Sequence, residues 1–208
     1  MGSRRISVVD YGAGNIASVI NMIKHVGGEA EVVSTPDALP RVEKLLLPGV
    51  GAFDHGIQSL KNGGWMDELN RSALERKVPI LGICLGMQLM CLSSEEGQEA
   101  GLGWIDAKVL RFDFSGDAVP LKVPHMGWNT VSASRRDPLV SDWQEAQRFY
   151  FVHSYYVECA SRSDVLLKCN YGKEFVAGFH RGNIWGVQFH PEKSHRFGME
   201  LFRRFLEV

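Results

Sequence analysis

The sequence predicts an α/β fold, a largely parallel sheet covered by helices with antiparallel additions, and three observations predict it. Through the first half, short β-branched runs alternate with apolar residues at helical spacing, the pattern of parallel strands joined by covering helices. Beyond Gly97 the pattern becomes strand-like runs separated by turn signals, as expected where a doubly wound core carries antiparallel strands at one edge. At 208 residues, with no repeat, low-complexity segment or linker, the chain reads as one domain over residues 1–208 with a core that needs no disulfide or metal staple.

The elements follow in order. The run Ile6 to Val9 reads as a buried first strand. In 14-GNIASVINMIKHVG-27, Ile16, Val19, Ile20, Ile23 and Val26 recur at helical spacing, and Gly27-Gly28 stops the helix. Strands follow at 30-AEVVS-34 and 43-EKLLLP-48, then a glycine-bearing loop 48-PGVGAFDHG-56, a helix from about Trp65 to Arg76 and a strand 78-VPILGI-83. These four strands are expected to run parallel. In the second half 104-WIDAKVLRF-112, 128-WNTVSA-133, 148-RFYFVHS-154, 164-DVLLKCN-170, 174-EFVAGFH-180 and 184-IWGVQFH-190 read as strands. The closing 194-SHRFGMELFRRFLEV-208 gathers Phe197, Leu201, Phe202, Phe205 and Leu206 into one apolar stripe, with Ser194 as N-cap.

Composition excludes several function classes. The 23 Lys and Arg balance 24 Asp and Glu without long runs of either sign, so no charge footprint marks a nucleic-acid surface. The first apolar run ends at Asp10, too early for a secretory segment, and a myristoylation signal at Gly2 would want Ser or Thr where Ile6 stands. No segment has the length of a membrane span, and a cytoplasmic location is the expectation. Cys84, Cys91, Cys159 and Cys169 show neither CxxC spacing nor a His-rich neighbourhood. No metal site, cofactor or structural disulfide is expected.

One cysteine stands apart. In 80-ILGICLGMQLM-90, Gly82-Ile83-Cys84-Leu85-Gly86 has the form G-x-C-x-G at an expected strand-to-helix turn, the cysteine counterpart of a nucleophile elbow. Such a turn strains the backbone at the nucleophile, and the glycines remove Cβ atoms that would collide within it. The following helix N-terminus favours thiolate and can receive a developing oxyanion. The pentapeptide alone leaves open the alternative that Cys84 is a small buried apolar residue. Cys91, Cys159 and Cys169 lack these surroundings and read as core.

A cysteine nucleophile acting on an acyl group needs a histidine and a group that orients it. In 188-QFHPEKS-194, His190 and Glu192 are two apart at a strand end, so in extended chain both side chains leave one face. Alone, a His-x-Glu pair reads better as a solvated pair at a strand end. His190 gains weight because it ends a candidate strand as Cys84 does, and ligands of open α/β sheets bind beyond the strands' carboxyl ends.

G-I-C-L-G-M-Q followed about a hundred residues later by F-H-P-E resembles the triad-type, class I glutamine amidotransferases. The resemblance implies a flavodoxin-like three-layer sandwich and a glutaminase in which Cys84 attacks the side-chain amide of glutamine, His190 is base and acid, and Glu192 orients it. The segments 10-DYGAGNIASV-19, 47-LPGVGAF-53, 124-PHMGWN-129, 149-FYFVHSYYV-157 and 190-HPEKS-194 are similar to the glutaminase subunits of imidazole glycerol phosphate synthases, which act in histidine biosynthesis. That likeness implies an oxyanion hole from Gly49, Val50, Gly51 and the Leu85 N–H, and glutamine contacts from Gln88, His153, Ser154 and Tyr155. It implies a heterodimer with a (β/α)8 cyclase subunit, approached by Asn15, Trp128 and Lys193, whose barrel receives the ammonia. Ala13 stands where that family often has proline. Without the resemblance, Gly49 and Gly51 would read as turn residues, Trp128 as core and Lys193 as a solvated charge.

Two alternatives share the fold. One is the glutaminase of pyridoxal phosphate synthase, whose loop resembles P-G-G-E-S where this chain has 48-PGVGAF-53. The other is a non-catalytic regulatory module, which an intact Cys84, His190 and Glu192 set argues against.

Overall fold

A computed structural model describes residues 4–116 and 120–208. Gly2, on which a myristoylation signal would turn, lies outside the described residues. The chain runs β1 (Arg5–Val9), α1 (Ile16–His25), β2 (Glu29–Val33), β3 (Leu45–Leu47), α2 (Phe53–Asn62) and α3 (Met66–Asn70), which continues as a π-helical stretch Arg71–Glu75. Then come β4 (Ile80–Ile83), α4 (Leu85–Leu89), β5 (Ser93–Ser94), β6 (Ala107–Arg111), β7 (His125–Ala133), β8 (Gln147–His153) and β9 (Tyr155–Cys159). The last elements are β10 (Val165–Tyr171), β11 (Lys173–Arg181), β12 (Ile184–Val187) and α5 (His195–Glu207).

The four expected strands do run parallel, in the order β2-β1-β3-β4, and β12 joins beside β4 as a fifth, giving the order of a flavodoxin-like sheet. Beyond β12 the sheet continues antiparallel through β11, β10, β7 and β8, while β5, β6 and β9 branch from β11.

Residues alternate across the parallel strands, and the two faces build two cores. Ile6, Val8, Leu46, Leu81 and Ile83 meet α1 through Val19 and Ile23 and α5 through Leu201, Phe202 and Phe205. Val9, Leu45, Leu47 and Ile80 meet Phe53, Ile57 and Leu60 of α2 and Leu85 and Leu89 of α4. This is period two on the sheet set against period 3.6 on the helices, and each such side chain contributes roughly 1.5–3 kcal/mol of burial.

Three sequence expectations are corrected. The run 48–56 is not all loop, because α2 begins at Phe53 and buries Phe53, Ile57 and Leu60 on one face. Gly56, which suggested a loop, is where Leu89 packs so closely that a Cβ would stand 3.1 Å from it. Ser194 precedes α5 but makes no capping bond; its Oγ donates to the His190 carbonyl at 2.6 Å and accepts from the Tyr150 N–H at 3.0 Å. Finally, 155–159 forms a strand of its own, β9, paired with β6.

Asp137 pins the antiparallel part to the parallel part. Its side chain is 0% exposed; it accepts from Leu139 N–H at 3.0 Å and Trp185 Nε1–H at 3.1 Å, and pairs with His180 and Arg135. Burial alone would raise its pKa, but the His180, Leu139 and Trp185 hydrogen bonds hold it below the ordinary carboxylate value. Asp137→Ala should therefore cost about 3 kcal/mol, since it leaves several buried donors unanswered. A carboxylate with a lowered native pKa stabilises above its ordinary range, and that contribution is lost as pH falls through the native value. Thermal melts should show the gap between wild type and variant wide at pH 7 and narrowing in acid; a gap constant with pH would contradict this account.

Candidate active site

The site gathers residues just beyond the carboxyl ends of β1, β3, β4 and β12. Cys84 sits between β4 and α4 at φ 53° and ψ −109°, a left-handed strained turn, and its N–H donates to the Val187 carbonyl at 2.8 Å. The flanking glycines are sterically required. A Cβ on Gly86 would lie 1.9 Å from the Leu47 carbonyl oxygen, and one on Gly82 would lie 2.8 Å from Met87 N. The elbow expected from the sequence is formed.

His190 follows β12 and is tied down by its N–H, which donates to the Tyr150 carbonyl at 2.9 Å. Its Nδ1 donates to Glu192 Oε1 at 2.8 Å, and the Glu192 side chain is 3% exposed. The extended geometry expected for residues 190–192 is replaced by a 3₁₀ turn, Pro191–Lys193, which still returns the carboxylate to the ring. Nε2 has no hydrogen-bond partner among the described residues and is the nitrogen left for Cys84. Burial alone would lower the His190 pKa, but interaction with the Cys84 sulfur and the Glu192 carboxylate outweighs it, and the imidazole is held above its ordinary value. The other thiols are inert by comparison: burial raises Cys159 and Cys169 to about 12 and raises Cys91 as well.

A pocket of about 320 Å³ opens over the sulfur, the size for an amino acid, lined by Val50, Gly51, Cys84, Leu85, Gln88, Glu96, Pro124, Val152, His153, Ser154, Tyr155 and His190. The sequence-derived oxyanion, substrate and triad residues thus meet around one cavity, except that Gly49 and Glu192 stand behind its wall. Two open grooves of about 790 and 730 Å³ lie elsewhere, and among the described residues neither is lined by a cysteine or histidine.

Buried polar side chains fix the pocket's far wall. Gln88 Nε2 donates to the Tyr155 carbonyl at 3.2 Å and to Gln188 Oε1 at 3.0 Å, and Gln188 Nε2 contacts Cys84 Sγ at 3.7 Å. His153 Nδ1 lies 2.8 Å from the Tyr155 carbonyl, which can only accept, so His153 carries its proton there. Its Nε2 must then accept from His125 Nδ1 at 2.9 Å, and His125 Nε2 accepts from Asn129 Nδ2 at 3.1 Å. Both imidazoles are neutral. Burial lowers His125 to about 4, and burial with the neighbouring His125 and His190 lowers His153 to about 3.

The loop expected to supply the oxyanion hole lies over the N-terminus of α4. The Leu85 N–H, expected as an oxyanion donor, donates instead to the Gly49 carbonyl at 3.3 Å. Gly51 takes φ 111°, and Val50 leaves its side chain 44% exposed.

The three expected interface residues all reach the surface. Asn15 is exposed and also caps α1 by accepting from Ser18 N–H at 3.3 Å. Trp128 is 39% exposed rather than core, with its ring stacked on His195 at 5.6 Å. Lys193 is exposed in the turn beside His190. Sequence reasoning missed Gln188, Glu96 and Tyr11. Glu96 lines the pocket while accepting from Phe53 N–H at 2.9 Å. For Gln188 a signal existed, a polar side chain inside the apolar run 184-IWGVQF-189.

Residues 7–208 match the family model of glutamine amidotransferase class-I. Imidazole glycerol phosphate synthase subunit HisH 2 of Pseudomonas aeruginosa is 51% identical, with 98% of this chain and 99% of that protein covered. The protein of the same name from Methanococcus maripaludis is 47% identical over 97% and 98%. The chain belongs to the class I glutamine amidotransferases, among the HisH subunits. The fold agrees. The structure of PurLQS from Thermotoga maritima aligns with TM-score 0.76 at 23% identity, covering 100% of this chain and 99% of that one. The glutaminase domain of Trypanosoma brucei CTPS aligns with TM-score 0.69 at 15% identity, over 98% and 94%.

In this amidotransferase the Glu192 carboxylate favours the imidazolium form of His190, so Glu192→Gln should move the His190 titration to lower pH by about one unit or more. Histidine NMR titration of wild type and variant measures it; an unmoved midpoint would mean that Glu192 orients the ring without charging it.

Proposed function

We propose that this chain is the glutaminase subunit of an imidazole glycerol phosphate synthase, with Cys84 as nucleophile, His190 as general base and acid and Glu192 as its orienter. The observation that carries the reading is the sulfur on a strained turn against a histidine whose Nδ1–H is held by a buried carboxylate and whose Nε2 is free. His190 Nε2 takes the thiol proton, and the thiolate attacks the amide carbon of glutamine. As the tetrahedral intermediate collapses, His190 returns the proton to the leaving nitrogen and ammonia departs. Water, deprotonated by the same nitrogen, then hydrolyses the γ-glutamyl thioester to glutamate. Gln88, His153, Ser154 and Tyr155 form the wall that holds the substrate. The family match over residues 7–208 fits a catalytic domain that delivers ammonia to an acceptor on a partner subunit in histidine biosynthesis.

The partner is a (β/α)8 cyclase subunit, met by Asn15, Trp128 and Lys193. The closed loop supports control by that partner. In a trans peptide C=O and N–H point opposite ways, so while the Gly49 carbonyl faces Leu85 N–H, the Val50 N–H faces away from the hole. The peptide must rotate before two N–H groups can meet the oxyanion. Partner binding shifts that equilibrium. A cytoplasmic setting suits such an enzyme, and among the described residues no helix is long and apolar enough to cross a membrane.

Glutamate release tests both parts. Cys84→Ala in the complex should lose on the order of 10⁴ to 10⁶ in kcat, as removal of a triad nucleophile does; activity equal to wild type would overturn the nucleophile. The wild-type chain alone should release glutamate far more slowly than the complex with the cyclase's ligand bound. Equal rates would overturn the gating.

A further inference from the structure

Tyr11 follows β1 at the same sheet edge as Cys84, and the mechanism above gives it no task. Its side chain is 6% exposed, yet its hydroxyl has no hydrogen-bond partner among the described residues. Buried tyrosine hydroxyls normally find one, because an unanswered buried donor is costly. The place of this hydroxyl is specific: a Cβ built on Gly49 would lie 2.5 Å from it, and 2.9 Å from both Gly86 N and Leu85 Cβ. The phenol therefore abuts the residue whose carbonyl closes the oxyanion hole. Glycine at position 49 leaves room for that approach.

Two hydrogen-bonding problems meet here. In the closed state the Gly49 carbonyl is satisfied by Leu85 N–H while the Tyr11 hydroxyl is unsatisfied. When the Gly49–Val50 peptide rotates, its carbonyl leaves Leu85 and needs a new donor inside the protein. We propose that the Tyr11 hydroxyl is that donor, receiving the Gly49 carbonyl in the open state and so positioning the Val50 N–H in the oxyanion hole. The proposal rests on the gated-loop reading given under Proposed function. Burial, reinforced by negative charge on Cys84, raises the phenol pKa, so the hydroxyl keeps its proton wherever the enzyme works. Tyr11 is a positioning residue: it touches the loop and not the substrate. An unsatisfied group in the closed state that becomes satisfied in the open one narrows the free-energy gap between them.

The test is Tyr11→Phe, which keeps the ring and removes only the hydroxyl, assayed in the complete complex with the cyclase's ligand bound. Glutamine-dependent kcat should fall about tenfold, the scale of one hydrogen bond, with KM within about twofold of wild type. The melting temperature of the variant should be unchanged or higher, because an unsatisfied buried group has gone. Labelling of Cys84 by a glutamine-like chloroketone should slow in parallel with kcat. An unchanged kcat in a complex whose wild type is stimulated by ligand would overturn the role of Tyr11 and leave the gating intact. A lower kcat with a lowered melting temperature would overturn it too, in favour of a packing role. If wild type alone already ran at the complex's rate, the gating would fall first and the proposal with it.

Discussion

The strained turn at Cys84 is the constraint that sets the rest of the site. A non-glycine residue at φ 53° and ψ −109° costs on the order of 1–3 kcal/mol and persists only where its neighbours over-determine it. Here the Cys84 N–H is held by Val187 of β12 and its carbonyl accepts from Gln88 N–H at 3.2 Å. Gly86 rests on the Leu47 carbonyl, so α4 is drawn onto the end of β3 and the Pro48–Gly51 loop must pass over the helix N-terminus. On the other side β12 pairs with β4 in parallel register, Val187 beside Ile83, so His190 emerges level with the sulfur. Cys84, His190 and the loop after β3 come from three adjacent strands because one turn fixes the relation among them.

Around that turn the protein places polarity without adding charge. The Tyr155 carbonyl accepts from both Gln88 and His153, and the second of these donors is the end of a chain through His125 to Asn129. With both imidazoles neutral, the chain orders the pocket wall at little electrostatic cost in a low-dielectric interior. A second imidazolium there would compete with His190 for the site's negative charge. The lowering of the His153 pKa by His190 is the same repulsion seen from the other ring. One histidine in the pocket is raised and its neighbour lowered, the separation expected between a proton carrier and a structural donor.

Much of this was legible in the sequence because it is local. The elbow needs two glycines at fixed spacing about a strand end, the parallel strands are short apolar runs, and α1 and α5 carry their stripes openly. The features that escaped depend on partners distant in sequence. Gly56 looked like loop because its reason, the side chain of Leu89, is 33 residues away, and α2 was lost with it. Ser194 has the residue type of an N-cap but spends its hydroxyl on His190 and Tyr150, an arrangement set by the β8 contact. Tyr11 carries no local mark of the place its hydroxyl takes, and the polar side chain of Gln188 inside an apolar run gains its meaning only where β12 ends beside β4. Trp128 reads as core by type yet stands partly exposed, stacked on His195 at the surface.

The loop after β3 is held lightly, which is the property that the proposed gating requires. Among the described residues its direct bond to the helix, Gly49 carbonyl to Leu85 N–H, spans 3.3 Å, at the long end of useful geometry, and a neutral bond of that kind is worth about 1 kcal/mol net. Val50 stands 44% exposed and contributes little burial to hold this orientation. Gly51, at φ 111°, sits where a residue with a side chain would be strained, and as glycine it has the backbone freedom that a peptide rotation needs. A two-state element separated by one weak bond needs only a few kcal/mol of differential binding to change its population by orders of magnitude. The strain at Cys84 is locked by backbone contacts on both sides, whereas the neighbouring peptide is left nearly free. In the proposed mechanism the nucleophile is thus permanent, and control falls on the group that would stabilise its transition state.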